Sequence, residues 1–133
     1  EIYPKTYTLS LHDALPILYI YRLQILSSKS YSEEQLNNVI GVSSNFPHAD
    51  WGIEIIQSDE NFSGILVYFL SLLEGKYEKL ESIGISREDI SIWVLYEYEG
   101  QCNMEYDPVS MKKIGENGIV LCISCWEKEG ELS

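Results

Sequence analysis

Four places in the sequence bring chemically able side chains close together. His12 and Asp13 are adjacent in "TLSLHDALPI", the kind of pair that orients an imidazole or begins a metal site. His48 and Asp50 precede Trp51 in "HADW". Cys122 and Cys125 have the CxxC spacing of redox and metal motifs. Glu97, Glu99, Glu105 and Asp107 cluster in sequence and could supply paired carboxylates for acid–base hydrolysis.

The first of these is set aside. "TLSLHDALPI" is the in-frame translation of a common short-read sequencing adapter, ten codons long, and "EIY" at the start fits its upstream flank. Pro4 is one departure from that flank. Residues 1–17 are therefore read as an adapter-derived, non-native segment and excluded from fold and function. With them go His12 and Asp13, and His48 is left as the one histidine of the native chain.

The other three are weighed against plainer readings. On a strand, residues i and i+3 point to opposite faces, so Cys122 and Cys125 cannot converge on one ligand. Both are expected to be small buried hydrophobes. Glu97 and Glu99 fall on one side of a strand and suit a solvated acidic edge that discourages sheet-to-sheet pairing. His48 reads as a loop residue, with Trp51 anchored in the core. No catalytic signature, cofactor motif or metal-ligand set is expected. "GENG" lacks the lysine and the strand-to-helix order of a phosphate loop.

The elements that would position these residues follow from periodicity. "LYIYRLQIL" (18–26) alternates as a strand with one better-buried face, Leu18, Ile20, Arg22 and Gln24 sharing one side and Tyr19, Tyr21, Leu23 and Ile25 the other. Ser32 is placed to cap a short helix over 32–40, with Gln35 completing a capping box and Gly41 closing it. "WGIEIIQ" (51–57) is a second strand. Phe62, Ile65, Leu66, Phe69, Leu70 and Leu73 recur at helical spacing and mark the main helix packed on the sheet. A second, short helix follows Gly75. "DISIWVLYEYE" (89–99) is a strong strand, and Gly100-Gln101 suggests a tight hairpin with 102–106 as its return. Asp107-Pro108 starts a helix that ends near Gly115–Gly118, and 119–127 is the last strand. The order β-α-β-α-(α)-β-β-α-β predicts one α+β domain over 18–127, with a mixed sheet of roughly five strands and helices on one face. Strand–short helix–glycine–strand occurs at both ends, which suggests two pseudo-repeated units. Residues 128–133 form a polar tail.

A chain of 133 residues suits a single domain. Its 21 acidic against 9 basic residues give a formal charge of -12. That argues against nucleic acid and anionic membrane surfaces, which need a cationic footprint. It permits a basic partner protein and faster encounter with one, or it serves only to keep the protein in solution. Three cysteines without a framework suggest a reducing, cytoplasmic setting. No apolar run reaches the ~18 residues of a membrane-spanning helix, and the start has no signal-peptide order.

The stretches "IGVSSNFPHADW", "FSGILVYFLSLLEGKYEKLESIG" and "MEYDPVSMKKIGENGIVLCISCW" together resemble a bacterial domain of unknown function, DUF4279, over nearly all of 18–133. The resemblance implies an α+β fold and no assigned activity. Three functions stay open. The first is an acidic cytoplasmic interaction module, an immunity-type protein being one form, that binds a basic partner protein through Glu97, Tyr98, Glu99, Glu105 and Tyr106. The second is a small ligand-binding domain or enzyme with a site near His48, Asp50 and Trp51. The third is a stand-alone structural domain without a pocket.

Overall fold

The computed structural model describes residues 18–129. The segment read as adapter-derived and the end of the polar tail lie outside the described residues. Four strands form one mixed sheet in the order β2-β1-β3-β4. They are β1 (Tyr19–Ile25), β2 (Trp51–Gln57), β3 (Ile90–Tyr98) and β4 (Val120–Glu127). Four helices accompany them: α1 (Glu33–Ile40), α2 (Phe62–Leu73), α3 (Tyr77–Ser82) and α4 (Pro108–Asn117). A 3-10 turn over Arg87–Asp89 leads into β3.

β1 is central and pairs antiparallel with both neighbours, Tyr21 lying between Ile55 and Val94 and Leu23 between Ile53 and Ile92. The alternation in β1 decides which face is buried. Tyr21, Leu23 and Ile25 point to the helices and are fully buried, as are Ile53 and Ile55 of β2 and Ile90, Ile92 and Val94 of β3. The helical stripes meet them: Leu36 and Ile40 from α1; Phe62, Ile65, Leu66, Phe69 and Leu73 from α2; Leu80 from α3; Ile114 from α4. Each large side chain so buried contributes roughly 1.5–3 kcal/mol. The α+β class and the one-sided helical layer are those read from the sequence.

The helix ends use the residues expected of them. Ser32 accepts a hydrogen bond from the Gln35 backbone N–H at 3.1 Å, and Gly41 closes α1 at φ 87°. Asp107 accepts from the Ser110 N–H at 3.1 Å, and Gly118 ends α4 at φ 65°.

Two expectations are corrected. Among the described residues the sheet has four strands, because 102–106 are not a strand. The position a hairpin return would occupy beside β3 is filled by β4, which pairs parallel from Ser91↔Val120 to Tyr98↔Glu127. Freed from the sheet, 102–106 crosses to α2, where Tyr106 meets Phe62 edge-on with ring centroids 4.9 Å apart. The two end units are also not repeats. β1 and β2 are antiparallel and joined by a long connection closed where the Asp50 N–H donates to the Ile25 carbonyl at 3.0 Å. β3–α4–β4 is instead a parallel crossover.

The outer edge of β2 is sealed by its own connection. The Asn45 N–H donates to the Gly52 carbonyl at 2.9 Å, and the Glu54 N–H donates to Asn45 Oδ1 at 2.8 Å. Phe46 then lies over Gly52 on the face away from the helices, with the Arg22 guanidinium 4.0 Å above its ring. Arg22 also donates to Glu54 Oε2 at 2.7 Å and 3.0 Å.

This packing requires glycine at 52. An added Cβ would sit 3.0 Å from Phe46 Cβ and 3.2 Å from the Leu23 carbonyl oxygen. Gly52→Ala is expected to cost about 1–3 kcal/mol in urea denaturation. Gly115→Ala on α4, where an added Cβ meets nothing within 4 Å, is expected to gain up to about 1 kcal/mol. Equal effects of the two changes would contradict this account of the edge.

Candidate functional site

β2, β3 and β4 run parallel to one another, so their carboxyl ends share one end of the sheet with the start of β1. In sheets with parallel strands, this is the end at which crossover connections leave space for ligands. Here a cavity of about 240 Å³ lies there, lined by Tyr19, Tyr21, Glu60, Phe62, Val94, Asn103, Met104, Glu105 and Tyr106. A wider and more open cleft continues from it along Ser63, Asp107 and Pro108.

The walls are aromatic. Tyr19 and Tyr21 extend from one face of β1 with rings 7° from parallel, and Tyr19 stacks on Tyr96 at 4.6 Å. Phe62 opens α2 and stands at 84° to the Tyr106 ring. Tyr21, Phe62 and Val94 are buried and form the floor, whereas Glu60 and Glu105 are exposed at the rim. The sequence places these groups far apart, and only the crossover topology assembles them.

The phenols are held neutral. Burial pushes the Tyr21 hydroxyl up from 10.0 to about 12, against the lowering effect of the hydrogen bond it accepts from the Asn61 N–H. Burial also takes Tyr106 to about 12, with further contributions from the Cys102 and Cys125 thiols and from Glu60. Tyr19 reaches about 12 through burial and its hydrogen bond with Tyr96, Glu60 adding to the rise. The Glu60 carboxylate thus acts on all three hydroxyls. Cys102 lies beside Cys125, and burial and that neighbour raise its thiol pKa.

The structure distributes the acidic and aromatic group of the sequence reading over several places. Glu105 and Tyr106 line the cavity. Glu97 lies on the opposite face of the sheet and accepts from Trp126 Nε1 at 3.1 Å. Tyr98 stands on the helical side, its ring 6.5 Å from Tyr96. Glu99 forms an ion pair with Lys128 at 3.3 Å. Tyr19, Tyr21, Glu60 and Phe62 were not among the expected site residues. The signals that could have found them are an acid two residues before a helix and a tyrosine pair at i, i+2 on a strand's buried face.

His48, Asp50 and Trp51 are occupied otherwise. Trp51 is fully buried and donates from Nε1 to the Val42 carbonyl at 3.1 Å. Asp50 Oδ2 accepts from the Ser27 N–H at 3.0 Å and fixes the turn out of β1. His48 is exposed, its ring set against the edge of Phe46 at 5.3 Å. None of the three lines the cavity or its cleft. Cys122 and Cys125 point to opposite faces of β4, as their spacing requires, but neither is buried, because β4 is an edge strand beyond the main helical layer. Among the described residues no group of three or more His, Cys, Asp or Glu is placed to hold a metal ion, and no helix is long and apolar enough to cross a membrane.

The raised phenols tie stability to alkaline pH. An unfolded tyrosine ionises near 10.0, whereas Tyr19, Tyr21 and Tyr106 in the fold hold their protons to about 12. Over that window the unfolded chain carries fewer protons, so stability falls as pH rises. Tyr106→Phe is expected to move the alkaline unfolding midpoint upward, read by circular dichroism. A midpoint that stays or falls would show that this phenol is not the group under strain.

Comparison with known proteins finds no matching family model, curated protein or solved structure.

Proposed function

We propose that the chain is an acidic protein-interaction module whose basic partner docks at the tyrosine-lined end of the sheet. The observation that supports this most is the sign of the charge around the cavity and its cleft. Glu60, Glu105 and Asp107 line them, and among the described residues no lining residue is basic.

Two helix N-termini also point to this end, and on their own they would favour an anion. Each is worth roughly half a positive charge. Three carboxylates outweigh them. Glu60 accepts from the Phe62 N–H at the first turn of α2, and Asp107 accepts from Ser110 at the first turn of α4. The hydrogen bonds from Ser110 hold the Asp107 carboxyl below the usual carboxylate range, so it stays ionised. The excess charge is negative and belongs mostly to exposed groups, which suits steering and docking of a cationic surface. Aromatic rings beside it supply the contact area of an interface centre. Glu99 and Tyr98 border the same end and extend the surface; the resemblance to DUF4279 adds no activity to this reading.

The test is retention on an array of lysine-rich and arginine-rich peptides. Retention is expected to weaken as salt is raised from about 0.05 to 0.2 M, where the Debye length shortens to under ~10 Å. Glu105→Lys is expected to weaken binding about tenfold, while Glu33→Lys on α1 changes it far less. Equal losses from the two reversals would reduce the effect to overall charge and remove the docking site.

A further inference from the structure

We infer that the 240 Å³ cavity is a cage for a single alkylammonium headgroup, supplied by a lysine side chain, bare or methylated, of the basic partner. This rests on the interaction reading above and names the group that anchors it.

Size comes first. At about 240 Å³ the cavity falls below the ~300–1,000 Å³ usual for a small-molecule pocket, which suits one compact headgroup, and the cleft that continues from it can take the stem and the chain that carries it. Shape comes next. Phe62 and Tyr106 stand at 84° to one another, and Tyr19 and Tyr21 lie nearly parallel on the neighbouring wall. Tyr21 and Phe62 are buried and close the floor, and the half-buried Tyr19 and Tyr106 present aromatic carbon from two sides of it. Aromatic π-systems attract cations that come within about 6 Å of a ring centroid, and cages of this kind recognise ammonium groups.

Charge then selects the cation. The tyrosines ionise only near 12, so the walls stay neutral and act through their rings. Glu60 and Glu105 supply the full negative charges at the mouth. A guanidinium fits less well. It is planar and prefers a flat stack or a forked pair with a free carboxylate; one oxygen of Glu60 is taken by the Phe62 N–H, which leaves such a pair to Glu105 alone. A tetrahedral ammonium needs neither.

The test is a titration of the full chain, followed by two-dimensional NMR. The probes are tetramethylammonium, neopentyl alcohol as its uncharged counterpart, and a tripeptide carrying a central trimethyllysine. The two cations are expected to shift Glu60, Glu105 and Tyr106 signals saturably, and the alcohol not to. The tripeptide is expected to bind more tightly than tetramethylammonium. Tyr106→Ala is expected to weaken both cations about two- to fivefold, the range of one exposed ring. Because Tyr106 packs on Phe62, Glu60→Gln with Glu105→Gln, both at exposed positions, serves as a second variant and is expected to weaken them about tenfold.

Equal shifts from the alcohol and tetramethylammonium would overturn the cage. So would tighter binding of the free cation than of the tripeptide, which would assign the cavity to a small amine. If lysine-rich peptides bind in a Glu105-dependent manner and tetramethylammonium neither binds nor competes, the cage falls and the interaction module stands. If neither binds, both fall.

Discussion

β1 hydrogen-bonds to a strand on each side, and both ladders are registered by where Tyr21, Leu23 and Ile25 must sit. Those three side chains are almost completely buried against the helices. A slip of one residue in either ladder would turn them to the other face and bring Ile20, Arg22 and Gln24 into the core. Arg22 could not be accommodated there without a partner, and its partners Glu54 and Phe46 lie on the opposite side. The parity of one strand therefore sets the helical layer and the ion pair behind the sheet. It also places Tyr19 and Tyr21 at the cavity. The aromatic walls are an extension of the core's own register, carried two residues past the point where the helices cover it.

The cavity owes its existence to a strand that did not form. Were 102–106 paired beside β3, Met104, Glu105 and Tyr106 would be held in the sheet and the end of α2 would stand open. With β4 occupying that edge, the connection folds back over Phe62 and closes the fourth wall. The same arrangement brings two helix starts to one place. Each has an acid bonded at its first turn, Glu60 to the Phe62 N–H of α2 and Asp107 as the N-cap of α4, which offsets the partial positive charge that would otherwise invite an anion.

Much of the fold was legible along the chain. The helical stripe from Phe62 to Leu73, the alternation in β1 and β3, the Ser32 and Asp107 caps and the glycines at 41 and 118 are local signals, and each local signal agreed with the packing it met. The failures have a common cause. Residues 102–106 follow a turn signal at Gly100, but the edge they would have joined is occupied by β4, which comes from further along the chain. Glu60 reads as a helix-start acid, which it is, and nothing near it in sequence says that Tyr19 and Tyr106 will stand opposite. Cys122 and Cys125 were assigned opposite faces by periodicity, yet their exposure depends on β4 lying at the sheet's rim.

The two rims of the sheet are unlike. At β2 the outward backbone groups of Gly52 and Glu54 are satisfied by Asn45 and Ser44. At β4, among the described residues, the ladder simply ends, and residues 120–126 carry no charge. Strand addition needs unpaired N–H and C=O groups, and at Gly52 and Glu54 the turn through Ser44 and Asn45 has already taken them. The turn that covers β2 thus does more than hold Phe46 in place. It denies an incoming strand its partners over the first half of that rim.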